Sequence, residues 1–120
     1  MSVATAEELA GLAGRLRPVL AEAARRGETV TYNALAQAAG VEPPYTIHKT
    51  TLALEALARA DHAAGRPLLA ALAVGKAGVP GAGFFEVLAE LERYHGPERG
   101  PEAAAHHERE LKAAIAYWGA

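Results

Sequence analysis

The stretch from Arg66 to Phe85, RPLLAALAVGKAGVPGAGFF, constrains the fold more than any other. From Leu68 to Val74 every position is apolar, the pattern of a strand buried on both faces or lying beneath helices. Four glycines then fall within the nine positions from Gly75 to Gly83. Glycine at that density implies positive backbone φ or the close approach of another group. Phe84, Phe85, Val87, Leu88 and Leu91 follow at helical spacing. The chain is therefore expected to run from a core strand through a Gly-rich loop into a helix that starts at Phe84. His95-Gly96-Pro97 is expected to end that helix.

Upstream, Thr5-Ala6-Glu7-Glu8 is a capping box, with a hydroxyl at N-cap and a carboxylate at N3. Leu9, Leu12, Leu16 and Leu20 continue one helical face to about Arg26, and Arg25, Arg26 and Gly27 form the stop. Pro18 interrupts this run and predicts a kink or two abutting helices. Glu28 to Thr31 is β-prone. Thr31 is placed to cap a short helix that begins at Tyr32 and stops at Gly40. Val41-Glu42-Pro43-Pro44 is a turn, and a longer helix follows from Tyr45 or Thr46 to about Ala64. Downstream, Pro101 opens a last helix whose apolar stripe holds Leu111, Ile115 and Trp118.

With 120 residues and 51% hydrophobic content, the chain fits one globular domain, residues 1–120. Its parts are a helix-turn-helix at about 29–65, a strand and Gly-rich loop at 66–83, and C-terminal helices at 84–120. The expected fold is mainly α with a small β-sheet: a winged-helix-like domain with two extra C-terminal helices. The formal net charge is −2, so no global basic excess advertises a nucleic-acid binder. The absence of cysteine excludes disulfides, thiolate metal sites and cysteine nucleophiles. No basic-then-apolar leader opens the chain, and no apolar run approaches the about 20 residues of a membrane span, so no membrane partner and a cytoplasmic location are expected.

Three patterns are candidates for function. Thr31, Tyr32, Tyr45, Thr46, His48 and Lys49 cluster where a helix-turn-helix meets DNA, and Lys76 is placed to grip a flanking phosphate. In the loop, Gly78, Pro80, Gly81 and Gly83 sit between strand and helix, where backbone N–H groups suit an anion. Their spacing matches neither the dinucleotide fingerprint nor the P-loop, and a tight turn docking Phe84 and Phe85 is the plainer reading. His106-His107-Glu108-Arg109-Glu110 places two imidazoles near a carboxylate but lacks a zinc-ligand set, and is read as a solvated helix face. Ser2 is the only serine, so no serine triad is visible. No catalytic residue, metal or cofactor is assigned.

Residues 28 to 40, ETVTYNALAQAAG, resemble the opening of the DNA-binding domain of methylguanine alkyltransferases and alkyltransferase-like proteins. In that family a Thr-Tyr-Gly-x-Leu-Ala segment starts the helix-turn-helix. The resemblance implies a winged-helix architecture and a non-catalytic DNA contact in which Tyr32 takes the place of the nucleotide-rotating tyrosine. It departs from the family twice. Pro44-Tyr45-Thr46-Ile47-His48 stands where the arginine finger would be, and Pro67-Leu68-Leu69-Ala70 stands where the Pro-Cys-His-Arg motif would be. The leading expectation is a non-enzymatic DNA-binding or regulatory domain contacting double-stranded DNA. The alternatives are a protein-interaction module or homodimer, motivated by Tyr117 and Trp118, and an enzyme that binds a phosphorylated ligand at the Gly-rich loop.

Overall fold

A computed structural model describes residues 4–120. Helix α1, Ala6–Arg26, starts on the expected capping box, with both reciprocal bonds between Thr5 and Glu8 present. It runs unbroken through Pro18, so there are not two abutting helices. Proline in a helix interior costs about 3 kcal/mol. Here the ring sits on the solvent face, while Leu12, Leu16, Leu20, Ala23 and Ala24 are buried on either side of it and hold the helix together. Gly27 closes α1 by donating its N–H to the Ala24 carbonyl at 3.0 Å.

Strand β1, Val30–Thr31, leads into α2, Tyr32–Ala38, and after the Pro43-Pro44 turn comes α3, Thr46–Ala63. Then the sequence expectation fails in part. Leu68 to Val74 is buried throughout, but Leu69–Leu72 forms a 3₁₀ helix and only Ala73–Val74 is strand, β2. Uniform apolarity marks burial without distinguishing strand from helix, and Leu and Ala favour helix. A second cause lies far along the chain: the Asp61 carboxylate accepts the Leu69 N–H at 3.2 Å, satisfying a donor that opens the turn. Strand β2 pairs in parallel with β1, Val30 opposite Ala73 and Thr31 opposite Val74. The chain then passes from the Gly-rich loop directly into α4, Ala82–Glu90, with no return strand among the described residues.

Helix α4 begins two residues before Phe84 and stops well short of His95. Glu92 takes a left-handed φ of 60° there, and the Arg93 N–H turns back to the Leu88 carbonyl at 2.8 Å. That turn delivers Arg93 to Glu110 on α5, Pro101–Trp118, in a two-pronged pair of 2.7 and 3.0 Å. His106 and His107 are thus not a solvated face. His107 is buried and donates to the Ala71 carbonyl at 2.9 Å, and His106 contacts Glu110 at 2.9 Å. The two imidazoles diverge to separate structural partners. The stripe of Leu111, Ile115 and Trp118 only flanks the face that α5 turns inward, which holds Ala103, His107, Glu110 and Ala114.

The core forms where α1, α3 and α5 surround the 3₁₀ helix. At its edge Asp61, 0% exposed, pairs with Arg17 at 3.1 Å and Arg66 at 2.9 Å. Both guanidiniums lie 5.2 Å from the Trp118 ring, whose indole N–H donates to the Pro67 carbonyl at 2.9 Å. This cluster ties α1, α3, the loop after α3 and α5 together.

Candidate functional site

The expected contact residues fall into two groups. Thr31 is exposed and its hydroxyl accepts the Ala34 N–H at 3.2 Å, so it caps α2 as its sequence position implied. Helix α3 cannot start earlier than Thr46, because Tyr45 holds a left-handed φ of 60°. Tyr45 and Ile47 project from this end, 64% and 38% exposed, and His48 is exposed beside them. Thr46 gives its carbonyl to the Thr50 hydroxyl at 2.8 Å. Lys49 is the one cation in the first two turns of α3, and its ammonium donates to the Glu42 carbonyl at 2.6 Å. Lys76 is exposed on the turn after β2. Gly78 supplies that turn with a φ of 82°, and the Gly75 N–H bonds to the Val79 carbonyl at 2.8 Å across it. Pro80 is buried.

Tyr32, Gly81 and Gly83 form the second group, and they meet across a cleft of about 260 Å³ between α2, α3 and the start of α4. Tyr32 is the first residue of α2, and its hydroxyl oxygen accepts the Gly81 N–H at 2.8 Å. This bond joins the short helix to the Gly-rich loop and fixes the phenol at the rim. The hydroxyl hydrogen meets no protein acceptor among the described residues. Burial pushes the Tyr32 phenol above its ordinary pKa, against the pull of the Gly81 amide, so it keeps that proton at neutral pH.

The opposite wall belongs to α3. His48, Thr51 and Glu55 recur at three- and four-residue intervals, which places them along one side of the helix. Thr51 and Glu55 line the cleft together with Leu54, Ala58, Ala70, Phe84 and Val87. Glu55 leans toward the first turn of α4, where its Oε2 lies 3.1 Å from the position a Cβ would take on Gly83. A Cβ at position 83 would press on the tip of the Glu55 side chain, which would have to shift by a few tenths of an ångström, while the backbone φ there is ordinary. Burial raises the Glu55 carboxyl above the usual carboxylate range. Arg59 opposes that shift, Glu86 and Glu90 add to it, and His48 opposes it weakly.

Tyr32 and both glycines are among the residues that the sequence marks, whereas Glu55 is not. The available signal was the spacing of His48, Thr51 and Glu55, which marks one helical side running away from the solvent-exposed start of α3. Compared with known proteins, the chain matches no protein-family model, no curated protein and no solved structure.

Proposed function

We propose that the protein is a non-catalytic ligand-binding domain whose site is the cleft between α2, α3 and the start of α4. One observation carries this reading: Tyr32 and Glu55 bring two polar groups with hydrogen-bonding capacity left over to one largely apolar cavity. A largely apolar concavity with a few convergent polar groups, here both with raised pKa, is what small-ligand sites have in common. The cleft offers a phenol, a carboxylate and the Thr51 hydroxyl, which is committed to the His48 carbonyl at 2.9 Å, and that set supports binding. A fragment screen read by amide NMR shifts tests it. Shifts that cluster on Tyr32, Thr51, Gly81 and Gly83 are expected. Shifts scattered over the surface, or absent, reject the cleft as the site.

A second reading is contact with duplex DNA by a winged-helix-like domain. It is favoured by the order α2, turn, α3 and by the exposure of Tyr45 and His48 at the leading end of α3. The same end holds one lysine, already bonded to a carbonyl, and Glu42 adjoins it. Any such binding should therefore be weak and strongly salt-dependent. Fluorescence anisotropy of a labelled duplex at low salt decides: no binding at about 100 μM protein removes this reading.

A further inference from the structure

The polar groups of the cleft also select a class of ligand, an inference that rests on the cleft being the binding site. Glu55 Oε1 lies 3.7 Å from the Arg59 guanidinium, too long for a hydrogen bond. Arg59 instead gives its short bonds to Glu90, at 2.7 and 3.0 Å. Glu55 Oε2 has no hydrogen-bond donor among the described residues, although its side chain is only 25% exposed. Water still reaches this carboxylate in the free protein, so a ligand that covers the cleft must bring a donor to replace it. One guanidinium thus serves Glu55 and Glu90, and Glu86 adds to the negative charge that Glu55 feels.

This arrangement disfavours anions. A phosphate approaching the first turn of α4 would meet Glu55 at Gly83. It favours a cation that brings its own hydrogen-bond donors. An ammonium group carries up to three, enough to satisfy Glu55 Oε2 and still reach a second oxygen. Tyr32, across the cleft, offers a further acceptor to the ligand, since its oxygen has a lone pair beyond the one used by Gly81. Apart from Thr51, the remaining side chains, chiefly Leu54, Ala58, Ala70, Phe84 and Val87, are apolar and suit a hydrocarbon body. A cavity of about 150 Å³ is known to take benzene. The 260 Å³ here has room for one or two rings.

We infer that the cleft binds a small organic ammonium ion, a protonated primary or secondary amine on a body of one or two rings, with its charge on Glu55 and its body against Leu54, Ala58, Ala70 and Val87. Neutral and anionic compounds of the same shape bind less well, because they leave Glu55 without a donor.

The test uses matched probes: tryptamine and benzylamine against tryptophol and benzyl alcohol, titrated by calorimetry into the whole chain and into Glu55→Gln. Glutamine keeps the shape of the side chain and removes its charge. The amines are expected to bind at least about tenfold more tightly than the alcohols, the size of a charge-assisted hydrogen bond at a partly exposed site. Glu55→Gln should bring the amines down to the level of the alcohols. Tyr32→Phe should weaken the amines by a smaller factor and leave the alcohols less affected. Equal binding of amines and alcohols, or an amine preference that survives in Glu55→Gln, overturns the ligand class. If amide shifts at Gly81 and Gly83 accompany that outcome, the cleft still stands as the site. If neither amine binds at millimolar concentration the inference fails as well. The cleft itself falls only if the wider fragment screen also leaves those amides unmoved.

Discussion

Replacing Asp61 with alanine should cost about 3 kcal/mol of folding stability, and the figure follows from what the carboxylate touches. Asp61 is fully buried and satisfies three donors: the Leu69 amide, Arg66 and Arg17. Alanine leaves the Leu69 N–H buried without a partner, worth about 1–3 kcal/mol. It also leaves two guanidiniums facing a carboxylate-free pocket. Loss of one partner from a buried pair can cost about 3–5 kcal/mol. Arg17 and Arg66, however, are 29% and 36% exposed and both rest on Trp118, so water and the indole face recover part of that loss. The lower end of the range therefore applies. In a chain of this length about 3 kcal/mol lowers the melting temperature by roughly 12 °C. Asp61→Asn retains an acceptor for Leu69 and should cost about half as much, since only the charge is lost. Urea unfolding followed by circular dichroism and by Trp118 fluorescence measures both variants. A loss under about 1 kcal/mol for alanine, or equal losses for alanine and asparagine, would refute the assignment of Leu69 as the principal dependent.

Two further outcomes follow. Glu55 is a carboxyl whose folded pKa is raised, so the fold favours its protonated form; that contribution is complete below the unfolded value of about 4.3 and is lost as pH rises through the folded value. Glu55→Gln should accordingly melt higher than wild type at neutral pH, with the gap closing as pH falls toward the ordinary glutamate range. A variant less stable than wild type at pH 7 contradicts this. Gly119→Ala should destabilise by about 1–3 kcal/mol, because its Cβ would strike the backbone carbonyls of Ala24 and Ile115, which cannot swing aside as a side-chain tip can; thermal melts that match wild type would show that the end of α5 can shift.

Local signals in the sequence translated well into structure, and signals that depend on distant partners did not. The Thr5–Glu8 capping box, the Thr31 cap and the stop at Gly27 are each complete within a few residues, and each forms. Leu68 to Val74 was legible as core. Its backbone was not, because the donor opening the 3₁₀ turn is satisfied by Asp61 on a different element. His107 and Glu110 looked solvated for a related reason. Nothing near them in sequence announces that Ala71 and Arg93 arrive to meet them. Half of the candidate site was visible in the same way. Tyr32 stands out as the residue after a cap, and Gly81 and Gly83 as part of a dense loop. Glu55 gains its meaning only when the start of α4 is laid against α3.

The parallel pairing of β1 with β2 has a consequence for the order in which the molecule assembles. Only two residues of each strand engage, and the whole of α2 and α3 lies between them in the chain. So short a ladder cannot repay the entropy of closing that loop by itself. It is expected to form after α3 has docked on α1 and the 3₁₀ helix is buried. The Gly-rich loop departs from β2, so the rim that meets Tyr32 at Gly81 is expected to order late. The same rim should be the first to open, and the amide of Gly81 should exchange with solvent far sooner than those of Leu16 or Leu57.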